Sequence, residues 1–175
     1  MGFQKKVATD QGDGTLGEVD FGSPMSAMPA VLASTKASNN VIGRAFQHVS
    51  AKDGLVTADA GAAGVFAGLL ISPKSYSLQG TSGGTLEPSI TMRNNENVEL
   101  LEMGSMAAYI KTAGNIGDEL YYSLKTGELS AQAAGGTAPA DHARVPGGFI
   151  VRKNVPAPKA PAKEVLAHVK VGVVK

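Results

Sequence analysis

From Val41 onward, every apolar run in this chain is cut short by a turn residue. VIGRAFQHV, GVFAGLLIS, SITMRN, NVELLEM, MAAYIKT and GFIVR follow one another, bounded by Gly, Pro, Asn, Asp or Ser. Short runs of this kind read as strands, and their spacing predicts an all-β fold, a small antiparallel β-barrel or sandwich. Ile42, Ala45, Phe46 and Val49 alternate imperfectly, which suits a strand carrying a bulge. GVFAGLLIS has Gly68 in its middle and reads as a buried strand.

The clearest local prediction is in GNIGDELYYSLKTGEL, Gly114 to Leu129. Leu120, Tyr122 and Leu124 share one face, while Tyr121 and Ser123 share the other. Lys125-Thr126-Gly127 reads as a short hairpin loop, with Gly127 supplying a positive φ. Leu120 to Ala131 is therefore a β-hairpin, and Gly117 and Asp118 form the turn that leads into it. AAGGTAPADHARVPGG, Ala133 to Gly148, reads as a long surface loop, and NVPAPKAPAKE as a stiff extended linker. At the C-terminal end Val169, Val171 and Val173 alternate, predicting a closing strand.

Residues 1–40 have a different texture. Phe3, Val7, Leu16, Val19, Phe21, Met25, Met28 and Leu32 occur without a sustained period of 2 or 3.6. A short helix near Pro29 is one reading, since Pro suits a first helical turn. The preferred reading is an extended N-terminal arm over 1–40, followed by a single β-domain over 41–175. So many large apolar residues are unusual for a solvated tail.

Composition narrows the function. The 175 residues carry 16 Lys plus Arg against 15 Asp plus Glu, a net charge of +1, so nothing steers the chain toward nucleic acid or an acidic membrane. Cysteine is absent, which excludes disulfides, thiolate metal sites and cysteine nucleophiles. The N-terminus lacks the apolar region of a signal peptide, and Gly61 to Ile71 is too short to span a bilayer, so a soluble protein is expected. Aromatic residues make up only 5 % of the chain, and a core with so few large anchors gains from a partner's surface.

The motifs that could carry chemistry have structural explanations. Gly80 to Thr85 has no Gly-Lys-Ser/Thr after it, and Gly114 to Asp118 precedes a strand where a phosphate loop needs a helix. Asp10, Asp13, Glu18 and Asp20 lack calcium-loop spacing, and His48, His142 and His168 lack the spacing of metal ligands. No Gly-x-Ser-x-Gly elbow occurs, and Asp141-His142 lie in the glycine-proline loop, a poor platform for a triad. No catalytic residue, metal or cofactor is expected.

The order of the segments is more specific than any one of them. GEVDFGS, VIGRAF, VFAGLLISPKSYS, VELLEMGSMAAYI, GNIGDELYYSLKTGEL and VPGGFIVR, then a closing β-segment, run from Gly17 to Val173. Together they resemble the structural cement proteins of tailed bacteriophages. The chain departs from that pattern at Glu18-Val19-Asp20-Phe21, where Gly-Asp-Phe is expected, and at Ala45, inserted between Arg44 and Phe46. The resemblance implies a capsid decoration protein on the outer surface of the virion head, made and assembled in the bacterial host cytoplasm. Its partners would be the major capsid protein, bridged at its joints, and other copies of itself in a trimer or dimer. Nucleic acid, membrane and catalysis would play no part. The apolar residues of the arm would be the anchors. The alternative is a β-barrel binding module on the virion that contacts a host glycan or peptide through loops such as Gly80 to Gly84.

Overall fold

The computed structural model describes residues 14–20, 22, 24–34, 36–52, 55–60, 64–72, 91–160 and 162–172. Among the described residues nine strands follow in chain order: β1 (Ser26–Leu32), β2 (Ala45–Lys52), β3 (Leu55–Asp59), β4 (Val65–Leu70), β5 (Asn97–Ile110), β6 (Glu119–Ser123), β7 (Leu129–Gln132), β8 (His142–Ile150) and β9 (Val165–Val171). The only helical element among the described residues is a 3-10 turn, Ala37–Asn39. The fold is all-β.

The strands close two rings that share β5. One runs β5-β7-β6-β8-β9 and returns to β5; the other runs β1-β3-β2-β4-β5 and returns to β1. Most pairings are antiparallel, and the parallel contacts β1–β3 and β5–β7 help close the rings. β5 can serve both because it is long. Its first half pairs with β1 and β4, Leu101 facing Ala27 on one side and Leu69 on the other. Its second half pairs with β9 from Gly104 to Ile110. Closure leaves few strand edges open to unwanted pairing.

The sequence reading split β5 into two strands at Met103-Gly104-Ser105. In the structure Gly104 stays in the strand at φ 138, and a side chain there would crowd Met25, the residue just before β1. The glycine marks a close approach between strands, not a turn. β8 is likewise longer than GFIVR, because it starts at His142. Tyr121 faces Arg144 while Glu119 faces Phe149, so Val145 to Gly148 bulge within the strand. The loop read as Ala133 to Gly148 therefore ends at Asp141. Pro29 is inside β1, opposite Glu99, so no helix forms there.

The buried side chains form two clusters, and the larger reaches from the β5–β9 ring to β2 and β4 through Ala45 and Leu69. Leu101, Met106, Ile110, Leu120, Leu129 and Ile150 belong to the larger cluster. Phe46, Leu32, Leu70, Leu100 and Met92 belong to the smaller. β5 supplies both through alternation, Leu100 entering one cluster and Leu101 the other. Burying each such side chain contributes about 1.5–3 kcal/mol.

Candidate interaction surface

The apolar residues of the first 40 positions have different fates. Leu32 is fully buried in the smaller core, and Met28 packs against that core. Val19 is buried and bridges Met106, on the far side of β5 from Val169. Leu16 is half-buried, with its side chain beside Gly43. Met25 is 38 % exposed. Phe3, Val7 and Phe21 lie outside the described residues, as do the loop Gly80 to Gly84 and Val173.

Residues 17–20 are held to β5 by backbone bonds. Gly17 N donates to Ala107 O, Ala107 N to Glu18 O, and Asp20 N to Ser105 O, all at 2.8–2.9 Å. Ser72 N, just past β4, donates to Gly17 O at 3.0 Å. Gly17 sits at φ 80, and a Cβ there would lie 2.2 Å from the Ile42 side chain. Only glycine fits this crossing. Asp20 is tied at its other end by the Arg152 guanidinium. An amide bond from Gly22 and that ion pair hold the Asp20 carboxyl below the usual carboxylate range.

Beside this segment lies a groove of ≈ 450 Å³. Val19, Met25 and Ile71 give it an apolar floor, and Thr15, Glu18 and Glu99 line its sides. Glu18 accepts the Thr15 amide at 2.8 Å. Among the described residues, neither Glu18 nor Glu99 is in an ion pair.

The β6–β7 hairpin clasps the two rings together. Ala45 N, at the start of β2, donates to Gly127 O at 2.9 Å. Arg44 reaches Thr126 O and Glu128 at 3.3 Å each, and Asn39 Nδ2 donates to Lys125 O at 3.0 Å. Lys111, past the end of β5, completes the ion pair to Glu128 at 2.6 Å. Burial disfavours the Glu128 anion, but bonds from Lys111 and Thr126 and the field of Arg44 outweigh it, and the carboxyl sits below its ordinary value. Gly127 adopts φ 70, and a Cβ there would come within 2.4 Å of Ala45 O. The sequence reading saw Gly127 as a turn residue. Nothing in the spacing of Arg44, Lys111 and Glu128 announced that they would meet.

At the turn before β6, Asp118 accepts the Asn115 amide at 2.8 Å, and Gly117 N donates to Ile150 O at 3.0 Å. Gly117 has φ 90. Ile116 is thereby presented at 58 % exposure. On the smaller ring Val65 is 74 % and Val49 50 % exposed. Each ring thus shows apolar side chains to solvent. His48, His142 and His168 sit on β2, β8 and β9, and no metal-type cluster of three forms among the described residues.

Comparison with known proteins gives a family match and several matches among solved structures. The family described as "Structural cement protein (E217 gp24/Pam3 gp6)" matches residues 3–171. Among solved structures, a chain from "The capsid of Myoviridae Phage XM1" superposes with a TM-score of 0.56. It shares 19 % identity, with 97 % of each chain covered, a likeness of fold. A comparison with curated sequences gave no match.

Proposed function

The chain belongs to the structural cement protein family of phages, and from that premise we propose that it binds the outside of the phage head and bridges neighbouring major capsid protein subunits. The family match over residues 3–171 carries this reading. The cement role places the protein at the virion capsid; the outer surface, the bridging and assembly in the host cytoplasm are our reading.

Physical reasons support it. A shell under pressure from packed DNA fails at the joints between subunits, and any protein that binds across a joint stabilises the assembled state by mass action. A bridge needs two attachment surfaces at fixed separation. Two rings sharing one strand and clasped by Arg44, Glu128 and Gly127 supply such a body, with Ile116 on one ring and Val49 and Val65 on the other as exposed contacts. Weak contacts at each end multiply when both engage. A cyclic oligomer, a trimer or dimer, would match the local symmetry of a shell and repeat the effect. The role is one of binding, with no catalytic step, cofactor, nucleic acid or membrane in it.

The test is to add the purified protein to heads that lack it and heat them. The expected result is a rise in the melting temperature of the shell that saturates with added protein. Unchanged melting at saturating protein would contradict the reading.

A further inference from the structure

The groove beside residues 15–20 has a composition that selects its occupant. Its floor is apolar, from Val19, Met25 and Ile71, and Glu18 and Glu99 stand beside it with no ion pair among the described residues. It suits an extended segment that places an apolar side chain next to a cation. Phe3-Gln4-Lys5-Lys6-Val7 is such a segment, two lysines flanked by large apolar residues.

We propose that the groove receives Phe3 to Val7 of a second copy of this chain. The inference rests on the cement reading and sharpens it, because it names the receiving site for the leading part of the arm. Residues 1–13 precede the groove wall. An extended chain spans at most about 3.3–3.6 Å per residue, so that length reaches a neighbouring molecule. Phe3, Lys5 and Val7 share one side of an extended segment, so Lys5 faces Glu18 and Glu99 while Phe3 or Val7 covers Met25. Val19 and Met25 act here as the receptor, and the residues before Gly14 as the ligand. Around a closed ring of copies every groove is filled and every arm engaged, as a heterologous interface requires.

The chain has no cysteine, so engineered pairs report cleanly. Val7→Cys with Met25→Cys is oxidised on decorated heads and in solution, then run without reductant. The expected result on heads is a ladder of covalent oligomers, absent for Val7→Cys with the exposed Lys159→Cys. Glu18→Gln with Glu99→Gln, added to the cysteine pair, reduces the ladder at least fivefold, and raised salt does the same. Exchanging the charges, Lys5→Glu and Lys6→Glu against Glu18→Lys and Glu99→Lys, restores it. A disulfide confined to monomers overturns the second copy as occupant. No disulfide on heads that the protein still binds overturns the groove while leaving the cement role standing. Failure of the unmodified protein to bind heads overturns both.

Discussion

The two rings share β5 but are built differently, and the contrast shows where this molecule is rigid and where it is adaptable. The larger cluster gathers aliphatic side chains from β5 to β9 and, through Ala45 and Leu69, from β2 and β4, and Tyr122 of β6 meets Phe66 of β4 with ring centroids 5.6 Å apart. The smaller ring has Phe46 as the one aromatic side chain in its buried cluster, together with Ala30, Ala60 and Ala67. It also buries polar groups. Asn40, fully buried, bonds to Ser34 and to Asn94 at 2.8 Å, and Asn94 returns a 2.8 Å bond to Ser34 O. Gln47 is fully buried on β2, yet among the described residues neither side-chain atom has a partner. A buried amide left unpaired costs about 1–3 kcal/mol. Ser130 Oγ on β7 and His168 Nδ1 on β9 are also buried without a partner among the described residues, so the smaller ring is the weaker one because its cluster holds fewer large side chains, and it is held partly by β5 and by the hairpin clasp.

The strongest challenge to this contrast is Phe46→Ala. Loss of a large buried aromatic costs about 3–5 kcal/mol. Hydrogen exchange is expected to accelerate in β1 to β4 while β6 to β9 stay protected. Equal acceleration across both rings would mean that they unfold as one unit, and the contrast would fail. Gly127→Ala tests the clasp. With φ 70 and the Ala45 carbonyl 2.4 Å from the new Cβ, the loss is about 1–3 kcal/mol. Exchange should rise at the start of β2 and in the hairpin together. A change confined to the hairpin would show that the rings are joined through β5 alone.

These two sites also show what the sequence made legible. The β6–β7 hairpin could be read because each of its signals is local: Leu120 and Tyr122 alternate inward, and Gly127 supplies the turn. All-β class followed from a series of such segments. A barrel was one of the two architectures that those segments allowed, but which strands close it was not legible, since Leu101 meeting Ala27 and Leu69 at once is a long-range pairing. Gly104 misled for the same reason, because its turn-like identity serves an approach by Met25 from far along the chain. Residues 1–40 show both sides of this. Their apolar residues lack the regular spacing of the later segments, but nothing local separated Leu32, buried in the core on β1, from Met25, left at the surface.

Two smaller effects sharpen the contrast. Gln47→Leu removes an unpaired amide and should raise the denaturant midpoint, by about 1 kcal/mol in stability. A fall would show that the amide is satisfied by bound water, and the smaller ring would be less strained than argued. Glu128 gives the smallest effect, and it depends on pH. Its carboxyl is depressed from an ordinary 4.5, so the unfolded chain binds its proton more readily than the folded one. Its contribution is complete above the ordinary value and is lost as pH falls through the folded value. Melting temperature should drop on acidification below about pH 5, and Glu128→Gln should flatten the drop. An unchanged slope would mean that the Arg44–Glu128–Lys111 contact adds nothing to the clasp.

The central claim is that this protein is a bridge, and cryo-electron microscopy of decorated heads tests it most directly. The account predicts density for both rings on the outer surface, with each copy touching two adjacent major capsid protein subunits. Density resting wholly on one subunit, or no density on the shell, would contradict it.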